Sequence, residues 1–144
     1  MYQRIFHQFN ASADTLRVYE DSSLVFSSRK DRLLPLMEYI DRFTSEHKEH
    51  KGVVIFDKII GNAAALLAVK ARGREIFSPL GSELALQTLE EYDIEYHFTR
   101  TVPTIQKVDG ESMCPMEKLS IGKEPEEFYR EMVEIIKKSA AKGS

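Results

Sequence analysis

Two short stretches of the chain carry side chains whose types and spacing could do chemistry. The first follows a buried apolar run, and its candidate ligand-binding residues are Asp57, Lys58, Gly61 and Asn62. The second has the sequence C-P-M-E-K, and its candidates are Cys114, Met116, Glu117 and Lys118. Thiols, carboxylates and amines are the groups that enzymes use as nucleophiles, acids and bases. We expect the two stretches to line one pocket.

Cys114 is the candidate catalytic nucleophile or redox thiol. Pro115 suits the first position of a helix, and the amino end of a helix lowers the pKa of a thiol. Glu117 lies on the same helix face, where it could act as a general acid or base. Two plainer interpretations stay open. Cys114 could be a small buried apolar residue, and Glu117 could be a first-turn carboxylate that stabilises the helix end.

A buried strand, a tight turn and a buried helix position the first stretch. Residues 53–56 are an unbroken apolar run, typical of a strand covered on both faces. Residues 63–69 are all Ala, Leu or Val, which predicts a buried helix. The carboxyl end of a strand that leads into a helix is where α/β proteins bind ligands, and the helix end favours anions. The alternative for Asp57 and Lys58 is an ion pair or a cap at the strand end.

The rest of the chain alternates strand and helix patterns. Residues 15–20 and 24–26 predict a β-hairpin, and an apolar stripe from Leu33 to Phe43 predicts a helix. Short strands are expected over residues 75–77 and 94–98, with a loop over residues 78–81 and a helix after Ser82 between them. A long connection, residues 102–113, precedes helices that begin at Pro115 and Pro125. This order predicts an α/β fold, a three-layer α/β/α sandwich with a mixed sheet.

Length, charge and composition limit the class of protein. The 144 residues predict one domain over residues 14–144, preceded by an N-terminal extension over residues 1–13. Within the extension, Ile5, Phe6 and Phe9 indicate either a helical turn or a frayed terminus. The net charge of −3 gives nucleic-acid binding no electrostatic support. The apolar runs are too short to span a membrane or form a signal core, and the single cysteine excludes an intrachain disulfide. We expect a cytoplasmic protein, compatible with a homo-oligomer.

The histidines do not predict a metal site. They lie at positions 7, 47, 50 and 97, and none falls in either of the two stretches. His47 and His50 belong to a charged segment typical of a solvated loop, and His97 belongs to a half-exposed strand. A catalytic zinc normally has three protein ligands. We therefore expect no metal and no other cofactor. The motifs of phosphate-binding loops, dinucleotide-binding folds and serine hydrolases are also absent from the sequence.

The segments D-K-I-I-G-N-A-A-A-L-L and C-P-M-E-K resemble a small prokaryotic family known only as a domain of unknown function. The resemblance extends from about Leu16 to Met132. That family is grouped by fold with the cytidine deaminases, so the resemblance implies a deaminase-like fold. Zinc deaminases have His or Cys followed by Glu two residues later, and a P-C-x-x-C motif. Here residues 57–62 contain neither His nor Cys, and Glu117 stands in the place of the second cysteine.

Two functions are compatible with these residues. The first is a binding protein for a small polar or anionic, nucleotide-like ligand, on a deaminase-like scaffold without catalytic zinc. The alternative is a metal-free enzyme that uses Cys114 as a nucleophile or redox thiol, with Glu117 or Asp57 as acid or base. The sequence does not decide between a binding protein and an enzyme.

Overall fold

The computed structural model describes residues 2–43, 52–106 and 115–142, which form helices on both faces of one sheet. The helices are α1 (Gln3–Ala11), α2 (Leu34–Phe43), α3 (Asn62–Lys70), α4 (Glu83–Glu91), α5 (Pro115–Ser120) and α6 (Pro125–Lys142). The strands are β1 (Leu16–Glu20), β2 (Ser23–Ser28), β3 (Val53–Asp57), β4 (Ile59–Ile60), β5 (Gly73–Ser82) and β6 (Glu95–Val102). The predicted α/β class is confirmed. The expected loop around His47 and His50 lies outside the described residues.

The six strands form one sheet. Its mixed character confirms the prediction, although the sequence indicated five strands and not β4. β1 lies between β2 and β3 and is antiparallel to both. β5 runs parallel to β3, β4 and β6. β3 pairs with the first half of β5 and β4 with the second half, while β6 lies along the other edge of β5. Parallel strands place their carboxyl ends at the same edge of the sheet, and the turn from β3 into α3 lies at this edge.

Alternate residues of β3 belong to two different hydrophobic clusters. Val53 and Ile55 pack in a large cluster that contains α2, α3, α4 and α6. Val54 and Phe56 pack in a second cluster with α1. Because successive side chains of a strand point to opposite faces, helices cover both faces of the sheet. α3 is the centre of the larger layer, since each residue from Asn62 to Ala68 is buried. The run of alanines leaves room for α4, α5 and α6 around it.

α1 covers its face of the sheet with aromatic side chains. Tyr2 and Phe6 pack on both Phe56 and Phe77, with ring centroids 5.4–6.2 Å apart. Phe9 is completely buried and contacts Phe56 at 5.9 Å. Of the two interpretations of residues 5–9, the helix is therefore the correct one. The segment expected as an N-terminal extension packs against one face of the sheet.

The loop expected over residues 78–81 is wrong, because β5 continues to Ser82. Pro79 and Gly81 favour a loop by local propensity, but pairing with β4 on one side and β6 on the other keeps this segment extended. The hydroxyl of Ser78 accepts a hydrogen bond from the N–H of Leu80 and donates one to its carbonyl. Gly81 is required here, because a methyl group at this position would overlap the ring of Phe98.

None of the helices in the described parts of the chain is both long enough and apolar enough to cross a membrane.

Candidate functional site

A cavity of about 790 Å³ opens at the turn between β3 and α3, and we call it the β3–α3 cavity. Its volume lies within the range of ~300–1,000 Å³ that is typical of small-molecule sites. Seven of its residues have apolar side chains that can hold an apolar ligand body: Leu33, Ile59, Ala63, Ala64, Ile105, Pro115 and Met116. The others are Thr15, Asp31, Arg32, Asp57, Lys58, Gly61, Gln106 and Glu117. The two stretches that the sequence identified therefore meet at one cavity.

Asp57 contributes a buried carboxyl group to the cavity. It ends β3 on the face that α3 covers, and it exposes only 9% of its surface. Its Oδ1 accepts a long hydrogen bond, 3.4 Å, from the N–H of Ile59. Burial raises the pKa of Asp57 to about 7, although the backbone N–H groups of Ile59 and Lys58 favour the ionised form. A carboxyl with such a pKa can take up or release a proton near neutral pH.

Lys58 is one of the lining residues, but its ammonium group binds carbonyls at the end of α1. The Nζ donates to the carbonyl of Ser12 at 2.8 Å and to that of Asn10 at 3.4 Å. It also lies 4.8 Å from the centroid of the Phe9 ring. These carbonyls are at the carboxyl end of α1, where a cation is stabilised by the helix dipole. The Lys58 side chain therefore links the end of β3 to the carboxyl end of α1.

Glu117 occupies the amino end of α3. Only 2% of its surface is exposed, and its Oε1 accepts the N–H of Asn62, the first residue of the helix. Its Oε2 accepts the N–H of Ile105 at 2.7 Å. Gly61 has no side chain to cap the helix, and a methyl group there would lie 3.2 Å from both carboxylate oxygens. Glu117 therefore caps α3 from a distant position in the chain, since carboxylates are favourable at helix amino ends.

Two other N–H groups in the first turn of α3 have no partner within the described parts of the chain. They belong to Ala63 and Ala64, both of which line the cavity. The first N–H groups of any helix lack acceptors inside the helix. The first intrahelical bond here is the one from the N–H of Ala65 to the carbonyl of Gly61. The wall of the cavity therefore presents two hydrogen-bond donors next to the Glu117 carboxylate.

Asn62 joins three helices rather than lining the cavity. Its Nδ2 donates to the hydroxyl of Ser120 in α5 at 3.0 Å, and its Oδ1 accepts from the hydroxyl of Thr88 in α4. The Ser120 hydroxyl in turn donates to the carbonyl of Glu117 at 2.6 Å. This network fixes α5 against α3, so Asn62 holds Glu117 in position.

The second stretch contributes unevenly to the cavity. Met116 and Glu117 line it, whereas Lys118 is exposed and is not among the lining residues. α5 begins at Pro115, as the sequence predicts. Cys114 lies outside the described residues, so its role as a nucleophile stays a prediction.

Sequence reasoning missed several lining residues that lie far from the two stretches. Asp31 and Arg32 come from the connection between β2 and α2, and Ile105 and Gln106 follow β6. Arg32 has a positive φ of 61°, which is uncommon for a residue with a side chain. No local pattern marks these residues, because they reach the cavity only through the pairing of the strands.

One group of described residues has metal-ligand types within 4.8 Å of one another, and it lies away from the cavity. It consists of Glu75 on β5 with Glu95 and His97 on β6. His97 Nε2 lies 2.8 Å from Glu75 Oε2, and its ring stacks on Phe77 at 4.3 Å. Of the His, Cys, Asp and Glu side chains that commonly bind metals, the described lining of the cavity contains only Asp and Glu.

The fold and the cavity define a mixed α/β protein with a candidate small-molecule site at the carboxyl edge of its sheet. Residues 4–138 match the family TM1506, a domain of unknown function (DUF1893). The chain belongs to this DUF1893 family, which confirms the expected relationship to a domain of unknown function.

A solved structure with the same fold supports this assignment. It is the crystal structure, at 2.70 Å resolution, of a DUF1893 family protein (TM1506) from Thermotoga maritima. The two chains are 30% identical, with a TM-score of 0.76, and the similarity covers 91% of this chain and 84% of that chain. A search of curated proteins found no match.

Proposed function

We propose that the protein binds a small organic ligand in the β3–α3 cavity. The observation that carries this proposal is a largely apolar cavity with a few polar groups on its wall: Asp57, Glu117 and the N–H groups of Ala63 and Ala64, which have no acceptor among the described residues. Small-molecule sites have this composition, because apolar walls supply affinity and a few polar groups supply orientation. The position at the carboxyl ends of parallel strands supports the same function.

The proposal includes a cytidine deaminase-like scaffold without catalytic zinc. The order of hairpin, helix, strand, helix, strand and helix supports the scaffold. The carboxylates of the cavity are poor substitutes for the nitrogen and sulfur ligands that zinc prefers. Elemental analysis of protein purified without chelator tests this part. Near-stoichiometric zinc that is lost in Cys114→Ser would contradict it and restore a hydrolytic mechanism.

A thermal-shift screen of uncharged and charged metabolites, nucleosides and nucleotides among them, tests ligand binding. A ligand at about 100 times its Kd adds about 2.7 kcal/mol of stability. Ile59 is a wall residue with 49% of its surface exposed, so Ile59→Trp should fill the cavity without disturbing the core. Leu24 on β2 is similarly exposed, at 51%, and is not a lining residue, so Leu24→Trp is the matched control.

We expect hits to lose their stabilising effect in Ile59→Trp and to keep it in Leu24→Trp. A hit that shifts both variants equally binds somewhere else on the protein. If the screen yields no hit that is sensitive to Ile59→Trp, the β3–α3 cavity is not a ligand site.

A second candidate function is a metal-free enzyme in which Asp57 transfers a proton. The pKa of about 7 and the place of Asp57 in a cavity favour it, since acids and bases of active sites are tuned in this way. Cys114 would be the nucleophile. The rate of Cys114 alkylation against pH is informative, because an apparent pKa near the ordinary value of about 8.5 indicates an unactivated thiol. Asp57→Asn should abolish turnover of a screened ligand and preserve its binding.

A further inference from the structure

At the start of α3, hydrogen-bond donors lie beside a hydrogen-bond acceptor. Glu117 Oε1 accepts the N–H of Asn62, so this carboxylate lies next to the N–H groups of Ala63 and Ala64. The two N–H groups can donate to a ligand. An ionised carboxylate has about four lone-pair sites. Within the described parts of the chain, Asn62 and Ile105 use two of these sites, which leaves Glu117 able to accept a hydrogen bond from a ligand.

Charges at this position disfavour both kinds of ion. The amino end of a helix attracts anions, but here the Glu117 carboxylate already lies against it, with only 2% of its surface exposed. A second anion at this position would be repelled by the Glu117 carboxylate. A cation at this position would face the positive end of the α3 dipole, and the N–H groups of Ala63 and Ala64 offer it no acceptor. The ammonium of Lys58 is bound to the carbonyls of Asn10 and Ser12 and is not directed at the start of α3.

We infer that the ligand of the β3–α3 cavity is uncharged and presents a hydrogen-bond acceptor directly beside a donor, as a carboxamide, a lactam or a urea does. The ligand carbonyl accepts from Ala63 and Ala64, and the neighbouring ligand N–H donates to Glu117. Ile59, Ile105 and Met116 contact the apolar body. This inference rests on the proposed ligand-binding function and narrows the sequence-based expectation of a polar or anionic ligand.

A set of compounds with one shared ring tests the chemical class. Benzamide offers acceptor and donor, acetophenone offers the acceptor alone, benzoate is the anion, and benzylamine is the cation at pH 7.5. A parallel naphthalene series fills more of the cavity. Binding is measured by calorimetry and by ligand-observed NMR on wild type and Ile59→Trp. We expect each amide to bind about tenfold more tightly than the matched ketone, acid and amine, since one charge-assisted hydrogen bond is worth that ratio.

Glu117→Gln tests the hydrogen bond that the ligand donates to Glu117 separately from those that it accepts from Ala63 and Ala64. The variant should lose the preference for amide over ketone while the affinity for the ketone stays unchanged. Glu83→Gln, on an exposed residue in the first turn of α4, is the control and should keep the preference. If Glu117→Gln does not fold, the wild-type series still decides the class.

The outcomes distinguish failure of the inferred ligand class from failure of the proposed ligand-binding function. Acids or amines that bind as tightly as the amides, with binding that Ile59→Trp removes, overturn the inference and leave ligand binding intact. The inference is also overturned if the amides do not bind while Ile59→Trp blocks binding of another compound class from the screen. Ligand binding in the cavity is then still supported. If Ile59→Trp blocks no compound of any class, both the inference and the ligand-binding function are wrong.

Discussion

The two buried carboxyl groups of the cavity are in different environments. Glu117 receives two backbone N–H groups, one at each oxygen. Asp57 receives one long hydrogen bond from Ile59, and burial raises its pKa to about 7. Burial favours the neutral acid unless hydrogen bonds or opposite charges compensate for the lost water. The two N–H groups therefore hold the Glu117 oxygens in place, whereas Asp57 is suited to a change of protonation state near neutral pH.

The raised pKa of Asp57 predicts a loss of stability as the pH increases. The folded protein retains a proton on Asp57 up to about pH 7, whereas the unfolded chain releases it near the ordinary aspartate pKa of 3.8. The contribution of Asp57 to stability is therefore fully present below about pH 4 and is lost as the pH rises through about 7. The total change is at most about 4 kcal/mol.

Asp57→Asn should remove this pH dependence. Urea unfolding of wild type and variant between pH 4 and pH 8 gives the difference in unfolding free energy. We expect the unfolding free energy of the variant to increase relative to that of the wild type as the pH rises through this range. Asp93→Asn is a suitable control, because Asp93 is exposed and its φ of 58° is one that Asn tolerates. A constant difference between wild type and Asp57→Asn would show that Asp57 titrates normally.

The sequence located the cavity residues that lie next to a strong local pattern. Asp57, Gly61 and Glu117 follow or begin predicted elements, and the structure places them in the cavity. It could not locate Arg32, whose position depends on strand pairing. It also could not show that the Lys58 ammonium binds Ser12, 46 residues earlier in the chain. Local propensity contains no information about such distant partners.

At the scale of elements, β5 shows how pairing overrides local propensity. The segment from Ser78 to Ser82 contains Pro79 and Gly81, and sequence rules favour a loop. In the folded protein, β4 and β6 pair with its two edges. The sequence did predict most other elements, because their apolar periodicity is strong. It missed the two-residue strand β4, whose length is below what periodicity can detect.

Gly81→Ala should destabilise the protein through the ring of Phe98. The added methyl group would overlap this ring, and overpacking of this kind costs about 1–3 kcal/mol. Urea unfolding measures the cost.

Repeating the substitution in a Phe98→Leu background identifies the cause. The smaller side chain should reduce the cost of Gly81→Ala to within ~0.5 kcal/mol, and the difference between the backgrounds is the coupling energy. An equal cost in both backgrounds would mean that backbone conformation, and not the ring, requires glycine.

At the scale of the whole molecule, α1 is the sole helix of the described chain in the smaller aromatic cluster. Removing residues 1–13 would expose Phe56 and Phe77, which are 0% and 5% exposed in the intact fold. Burial of one large side chain contributes about 1.5–3 kcal/mol. We expect the truncated chain to melt at a markedly lower temperature and to bind a hydrophobic dye such as ANS.

A truncation after Lys138 is the control, because Lys137, Lys138 and Ser139 are all exposed. It should leave the melting temperature within a few degrees of the wild type. An N-terminal truncation that melts like the intact protein would show that residues 1–13 are a dispensable extension, as the domain boundaries in the sequence suggest.

Neighbouring residues at the end of β3 face opposite layers of the molecule. Asp57 lines the β3–α3 cavity, and the Lys58 ammonium binds carbonyls at the carboxyl end of α1. A ligand that fixes this turn therefore makes detachment of α1 less favourable, and by thermodynamic reciprocity a firmly attached α1 tightens ligand binding by the same factor. Hydrogen–deuterium exchange should show amide protection within α1 on addition of a cavity ligand, and Lys58→Met should abolish this protection. The aromatic helix would then act as an effector segment, through which events on one side of the sheet set the affinity on the other.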